Sequence, residues 1–454
     1  MTDTTIINAR AFIDGALTEC GIAIADGQIT HIGKELSLHP GTSFIDAHGM
    51  IILPGLVDLH VHFRDPGATH KEDFFTGSCA AIAGGVTSVL DEPNNIPVTD
   101  TPDALRSKLE IIKSKSLVDY SCSVALNAWN LNKLKEFRDL GAYCFAEFDE
   151  LGDKPTGLTD ASILLEAMKR VKEEGGMMLL NCREAKIVDK AISEMRAAGK
   201  NSFNDYNESF PHVAEAIASA DRLLMAEDIG VKAHLREIST HETLRVIRCL
   251  KKSNISTEGR PDHLFLNKVD HAALGPLAEQ WTPIRRPEDS HEMLKALNSG
   301  LIDVIASDHA PHALEEKSLG NKNIWNSPPG IPAVETMLPL LLTEVNKGTL
   351  SLARLVEATA INPAKILGIY PKKGCLQVGS DADLVLIDIK KERTIRGENL
   401  HGKTKWTPYE GWKTRGEPVL TFIRGILMYD EVIIGKPGQG KALHMMKSNT
   451  CNIK

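Results

Sequence analysis

Two histidines and an arginine alternate in the segment DLHVHFRDPG, residues 58–67. Side chains two positions apart on a β-strand point to the same face, so His60, His62 and Arg64 are expected to share one face. Imidazole nitrogens bind metals, and a guanidinium can hold a carboxylate through two parallel hydrogen bonds. The spacing predicts a metal-binding strand that also carries a cation for an anionic ligand. The alternative is a pair of histidines with ordinary hydrogen bonds at a strand end.

A second candidate group ends the apolar segment LIDVIASDHAPH, residues 301–312. An aspartate just past a strand, Asp308, can join His60 and His62 around one metal ion and also carry a proton during catalysis. Two imidazoles and one carboxylate leave a coordination position open, as in catalytic zinc sites. The alternative for Asp308 is the N-cap of a following helix.

The elements that position these residues follow from the pattern of apolar runs. Residues 1–53 alternate short apolar runs with turn signals, including DG and HG steps that predict hairpins. From 54 to 365, short apolar runs alternate with helical patterns, which favours an α/β fold with a (β/α)8 TIM-like barrel. Residues 366–454 return to a β pattern. We therefore expect the two ends of the chain to form one composite β-sandwich domain beside the barrel.

Particular segments carry this interpretation. The predicted barrel strands are residues 85–93, 117–126, 141–148, 176–182, 230–239 and 301–310. The predicted helices between them are residues 103–115, 160–175, 212–230 and 290–300.

Composition narrows the class of protein. The chain has 454 residues and a formal net charge of −8, which does not favour nucleic acid as a partner. No apolar run reaches the roughly 18 residues of a membrane span, and the first residues lack the pattern of a signal peptide. Eight scattered cysteines without a CxxC pair predict reduced thiols. These features predict a cytoplasmic protein with no membrane partner.

Longer motifs make a resemblance visible. The segments at 55–95, 305–317, 327–352 and 403–411, which include DLHVHFRDPGATHKEDF, IASDHAPH and KTKWTPYEG, resemble the dihydroorotases of the cyclic amidohydrolase superfamily. The resemblance runs over nearly the whole chain and implies the same barrel and composite β domain. It also implies the interconversion of N-carbamoyl-L-aspartate and dihydroorotate in pyrimidine biosynthesis.

The resemblance assigns roles residue by residue. It places His60, His62 and Asp308 on one zinc ion, with Asp308 also acting as the catalytic proton carrier. Arg64 and Asn94 would bind the substrate carboxylate, and His312 would line the same pocket.

The chain departs from the family pattern on one side of the site. The lysine that bridges two metals in such enzymes corresponds to Tyr143, and the carboxylate of Glu147 is a doubtful substitute. Asn181 and Glu237 stand where the family has two further histidines, so both are doubtful ligands as well. We therefore expect one zinc per chain.

Three interpretations follow for the function. The first is a single-metal dihydroorotase, acting on a small-molecule substrate as a homodimer. The second is a catalytically inactive homologue that serves as a structural partner of aspartate carbamoyltransferase. The third is an allantoinase or hydantoinase, which Arg64 argues against because those substrates have less need of a cation.

Overall fold

The computed structural model describes residues 2–34, 41–148, 150–151 and 154–445. Its strands, in chain order, are β1 (Thr4–Ile13), β2 (Ala16–Ala25), β3 (Gln28–Gly33), β4 (Ser43–Asp46), β5 (Ile51–Pro54), β6 (Leu56–Val61), β7 (Val86–Asp91), β8 (Asp119–Cys122), β9 (Val124–Ala125), β10 (Cys144–Ala146), β11 (Glu150–Leu151), β12 (Lys154–Pro155), β13 (Met177–Asn181), β14 (Lys232–Arg236), β15 (Ile255–Gly259), β16 (Val304–Ile305), β17 (Leu384–Thr394), β18 (Lys413–Ile423) and β19 (Ile426–Asp430).

The helices are α1 (Phe74–Ala83), α2 (Pro102–Lys115), α3 (Leu134–Asp139), α4 (Ala161–Glu173), α5 (Ala185–Ala197), α6 (Phe203–Glu208), α7 (His212–Ile229), α8 (His241–Leu250), α9 (Pro261–Phe265), α10 (Pro287–Asn298), α11 (Leu314–Ser318), α12 (Met337–Lys347), α13 (Leu352–Val356) and α14 (Asn362–Ile366). Helix α2 shows why the sequence signals work: Thr101 caps it by accepting from the Ala104 amide, and Pro102 takes its first position. All four predicted helices are present, with their ends shifted by a few residues.

Parallel strands form the centre of the molecule. Strands β6, β7 and β8 make one parallel sheet, and β9, β10, β13, β14, β15 and β16 make another. The chain passes directly from β8 to β9 through Ser123, whose amide donates to the Asp91 carbonyl at 3.0 Å. On the other side Val61 bridges His309, and the His62 amide donates to the His309 carbonyl at 2.8 Å. The predicted α/β fold with parallel strands is confirmed.

Both ends of the chain meet in one eight-stranded sheet, as predicted. Its order is β19-β18-β17-β5-β1-β2-β3, with β4 beside β1. Alternating residues face two different cores: Ile52 lies in the core of this sheet, whereas Ile51 and Leu53 pack with the barrel. The same alternation occurs in β17, where Leu386 faces the sheet core and Val385 faces the barrel. One buried face therefore attaches the sheet to the barrel and fixes the start of β6.

The hairpin predicted at the step His48-Gly49 is wrong. Both residues do turn with positive φ, 46° and 78°. However, β4 and β5 do not pair with each other, since each runs parallel to β1. A positive-φ dipeptide fixes a local turn, but the pairing partner is chosen by the burial of Ile45, Ile51 and Ile52.

Two smaller expectations can be compared with the described residues. None of the seven described cysteines forms a disulfide, and Cys451 lies outside the described part of the chain. Among the described helices, none is long and apolar enough to cross a bilayer. The domain boundaries at 53 and 365 stay predictions.

Candidate active site

A cavity of about 440 Å³ opens where the barrel strands end. Its lining includes His60, His62 and Arg64 at the end of β6, Asn94 after β7, Asn181 at the end of β13, Arg236 and Glu237 at the end of β14, and Asp308 after β16. The carboxyl ends of parallel barrel strands meet at one face, so residues distant in sequence converge there. His60, His62 and Arg64 share the cavity as predicted, although Arg64 has left strand geometry with a φ of 59°.

Three predicted metal ligands converge in this cavity. Asp308 Oδ1 lies 3.3 Å from His60 Nε2 and 3.0 Å from His62 Nε2. All three side chains are buried, and their ligand atoms lie within 4.8 Å of one another. Two imidazole nitrogens and a carboxylate oxygen at this spacing fit a divalent ion such as zinc. Asp308 caps no helix, because the next one, α11, has Ala313 at its N-cap.

The charge around His60 is strongly negative. Burial by itself would lower the pKa of this histidine, but the carboxylates of Asp308 and Glu258 outweigh burial and raise it to about 10. Burial likewise opposes ionisation of Asp308, yet His60 and Arg260 hold its pKa well below the usual range. The carboxylate of Asp308 is therefore ionised in the folded protein.

A second layer of residues orients His60. Glu258 Oε1 lies 2.9 Å from His60 Nδ1, and Glu258 Oε2 lies 3.0 Å from His234 Nε2. His234 Nδ1 in turn lies 2.7 Å from Ser256 Oγ. These contacts turn His60 Nε2 toward Asp308. Sequence reasoning missed Glu258 because β15 was not predicted, although a strand was needed between helices 212–230 and 290–300, where the β-branched segment ISTEG lies.

Asn94 orients the second histidine. Its Oδ1 lies 2.8 Å from His62 Nδ1, so the imidazole is held with Nε2 toward Asp308. This bond engages the amide oxygen of Asn94 and leaves the amide nitrogen for a ligand in the cavity. The substrate contact predicted for Asn94 stays a prediction.

Arg64 is a cation at the cavity wall without an acidic partner. Its Nε donates to the Pro311 carbonyl at 3.2 Å, and Nη2 lies 3.0 Å from His312 Nε2. Within the described part of the chain it forms no ion pair, and burial lowers its pKa to about 10. The alternative of a surface salt bridge therefore finds no support.

His312 lies behind Arg64 and is not among the residues that line the cavity. Its Nδ1 lies 3.0 Å from Lys71 Nζ. Burial, together with the charges of Arg64 and Lys71, lowers the pKa of His312 far below the usual range, so the ring is neutral. The direct substrate contact assigned to His312 stays a prediction, and the structure places this ring against the Arg64 guanidinium.

The three doubtful ligands each meet an arginine. Glu147 accepts from Arg222 Nη2 at 2.5 Å, and Asn181 Oδ1 accepts from Arg236 Nη2 at 2.8 Å. Glu237 Oε2 accepts from Arg260 Nη1 at 3.0 Å. The lone pairs that a second metal would need are thus engaged by N–H donors. Arg222, Arg236 and Arg260 were not singled out from the sequence, where isolated arginines give no signal of this pairing.

The prediction that Tyr143 stands at the position of the bridging lysine is wrong. Tyr143 precedes β10 and packs in a buried cluster with Leu179 and Ile369 at the opposite end of the strand. The residue that follows β10 at the cavity end is Glu147, and it is buried. A strand of three residues explains the error, because a shift of a few positions along it exchanges the two ends of the barrel.

Comparison with known proteins agrees with this geometry. The model of the amidohydrolase family matches residues 51–428. A dihydroorotase from Methanosarcina mazei is 36% identical over 454 residues, covering 98% of this chain and 98% of that protein. A dihydroorotase from Bacillus cytotoxicus is 33% identical over 426 residues, covering 92% of this chain and 96% of that protein.

Solved structures give the same picture. The L-hydantoinase (dihydropyrimidinase) from Arthrobacter aurescens superposes with a TM-score of 0.94 at 30% identity, over 97% of this chain and 99% of that one. A D-hydantoinase has a TM-score of 0.91 at 27% identity, over 97% and 98% of the two chains. Amidohydrolases depend on metals, and the group His60, His62 and Asp308 is a candidate for holding one. The chain belongs to the amidohydrolase family and is a hydrolase of cyclic amides.

Proposed function

We propose that this protein is a dihydroorotase that interconverts dihydroorotate and N-carbamoyl-L-aspartate in pyrimidine biosynthesis, with a single zinc ion. The observation that carries the proposal is Arg64. A partly buried guanidinium without an acidic partner faces the cavity beside the candidate metal ligands. Such a cation needs an anion, and a substrate carboxylate supplies one. The names of the Methanosarcina and Bacillus relatives point to the same reaction.

The residues divide the work of ring opening. Arg64 binds the carboxylate of the ring, and the amide nitrogen of Asn94 donates a further hydrogen bond to it. A zinc ion held by His60, His62 and Asp308 supplies Lewis acidity toward the amide carbonyl and lowers the pKa of a water molecule.

Proton transfer falls to Asp308. Arg260 holds Oδ2 at 2.6 Å, so Oδ1 is the oxygen that takes up the proton and delivers it to the departing amide nitrogen. Glu258 keeps His60 oriented throughout. Ring closure follows the same path in reverse.

The test is a comparison of substrates on the purified protein. We expect dihydroorotate to be opened and carbamoyl aspartate to be closed, with about one zinc per chain by elemental analysis. Turnover of hydantoin with none of dihydroorotate would contradict the proposal.

A hydantoinase is the second candidate, because the likeness to the Arthrobacter L-hydantoinase extends over 97% of this chain. Its substrate ring carries no carboxylate that would require Arg64. The substrate comparison above separates the two candidates directly.

The expected setting is the cytoplasm, and the expected assembly is a homodimer. Association with aspartate carbamoyltransferase belongs to the remaining interpretation, a structural partner without catalytic activity. Sedimentation of the purified chain, alone and mixed with the transcarbamoylase, tests both assemblies.

A further inference from the structure

One nitrogen of Arg260 lies between two carboxylates at the end of β15. Its Nη1 donates to Asp308 Oδ2 at 2.6 Å and to Glu237 Oε2 at 3.0 Å. The side chain is fully buried. A cation shared by two buried carboxylates is the arrangement that a bridging metal ion would otherwise provide.

The rest of the guanidinium is held in place. Nε and Nη2 donate to the two oxygens of Asp262 at 3.1 and 2.8 Å, and Nη2 also donates to the Thr282 carbonyl at 2.8 Å. Thr282 Oγ1 donates to Glu237 Oε2 at 2.6 Å and so fixes the second carboxylate. Because arginine keeps its charge in proteins, this position carries a permanent cation.

The same space cannot also hold a metal ion. Zinc would have to lie about 2.0–2.2 Å from the carboxylate oxygens that bind it. An ion between Asp308 Oδ2 and Glu237 Oε2 would therefore collide with Arg260 Nη1. A further buried cation, Arg236, holds Asn181 on the same side, and its Nη1 lies 2.6 Å from Glu92 Oε2.

We infer that Arg260 is a positioning residue that takes the place of a second metal ion. It supplies positive charge next to Glu237 and holds Asp308 so that Oδ1 faces His60 and His62. This inference rests on the proposed metal site at those three residues.

The test is metal uptake by the full chain. Metal-free protein is titrated with Co²⁺, and the bound ion is counted by elemental analysis and followed by its visible absorption. We expect the wild type to saturate at one Co²⁺ per chain. Arg260→Gln is expected to bind a second, weaker equivalent and to change the absorption of the first, because Asp308 is no longer held. Arg260→Lys restores a cation and is expected to bind one.

The control is Arg285→Met, which removes another buried arginine that pairs with Glu215 and touches no candidate ligand. It is expected to bind one Co²⁺ with the wild-type absorption.

The outcomes separate the inference from the proposed function. A wild type that binds two ions overturns the inference and leaves the proposed site at His60, His62 and Asp308 standing, whereas one that binds none removes both. Arg260→Gln binding one ion with unchanged absorption also overturns the inference. If that variant does not fold, the wild type and Arg260→Lys decide: one ion each with matching absorption supports the inference, and two ions in either overturns it.

Discussion

Glu258 Oε1 lies 2.9 Å from Nδ1 of His60, and both side chains are buried. A carboxylate that holds the far nitrogen of a metal-binding histidine fixes the ring orientation and makes the near nitrogen a better ligand. Glu258 comes from β15 and His60 from β6, which are separated by 198 residues.

We expect Glu258→Gln to weaken metal binding by about 10- to 100-fold, the range typical for losing such a partner. Competition with a chromophoric chelator measures this affinity. The matched control is Glu292→Gln on α10, where the glutamate pairs with Lys295 at the surface. Equal affinities in the two variants would show that Glu258 does not support the metal.

Replacing Arg64 by Met removes the cation at the cavity wall. A hydrogen-bonded charge pair contributes about 1.5–3 kcal/mol, so kcat/KM for dihydroorotate should fall by roughly 10- to 150-fold. Activity on hydantoin, if the wild type has any, should change little. Arg106→Met is the control, since Arg106 pairs with Asp103 at the exposed start of α2. Equal losses on both substrates would contradict the assigned role of Arg64.

Acid should destabilise the protein through His263. Burial, assisted by the charge of Arg260, lowers the pKa of this histidine from 6.5 to about 4. The unfolded chain then binds more protons than the folded one between these values, so stability is present above pH 6.5 and is lost as the pH falls toward 4. Between pH 7 and pH 5 the expected loss is about 2 kcal/mol of unfolding free energy.

Urea unfolding at the two pH values measures this loss in the wild type and in His263→Gln. The variant should lose less stability on acidification than the wild type, because glutamine takes up no proton. The same loss in both proteins would assign the acid sensitivity to other groups.

Phe63 supports the strand end that carries the candidate ligands. It lies between His62 and Arg64 in the chain, is fully buried, and packs edge-on against Phe74 at 5.6 Å between ring centres. Phe63→Ala should cost about 3–5 kcal/mol of unfolding free energy, the usual range for a buried phenylalanine. Phe75→Ala is the control, because Phe75 is 36% exposed on α1. Similar losses in the two variants, measured by urea unfolding, would contradict the packing role.

The sequence by itself determined the local elements and the first half of the site. The alternation in DLHVHFR placed His60, His62 and Arg64 on one face, and the apolar run before Asp308 placed that carboxylate at a strand end. Both signals are local, since the period of a strand and the position of its end are written in neighbouring residues. The resemblance to dihydroorotases rested on segments of the same kind.

Only the tertiary structure decided which residues stand behind these ligands. Glu258 reaches His60, and Arg260 reaches both Asp308 and Glu237, because β14, β15 and β16 lie side by side and end at the same face. Tyr143 and Glu147 are four positions apart, yet they lie at opposite ends of the barrel because β10 between them has only three residues. Pairing of buried charges depends on distances across the barrel, and no pattern in neighbouring residues encodes those distances.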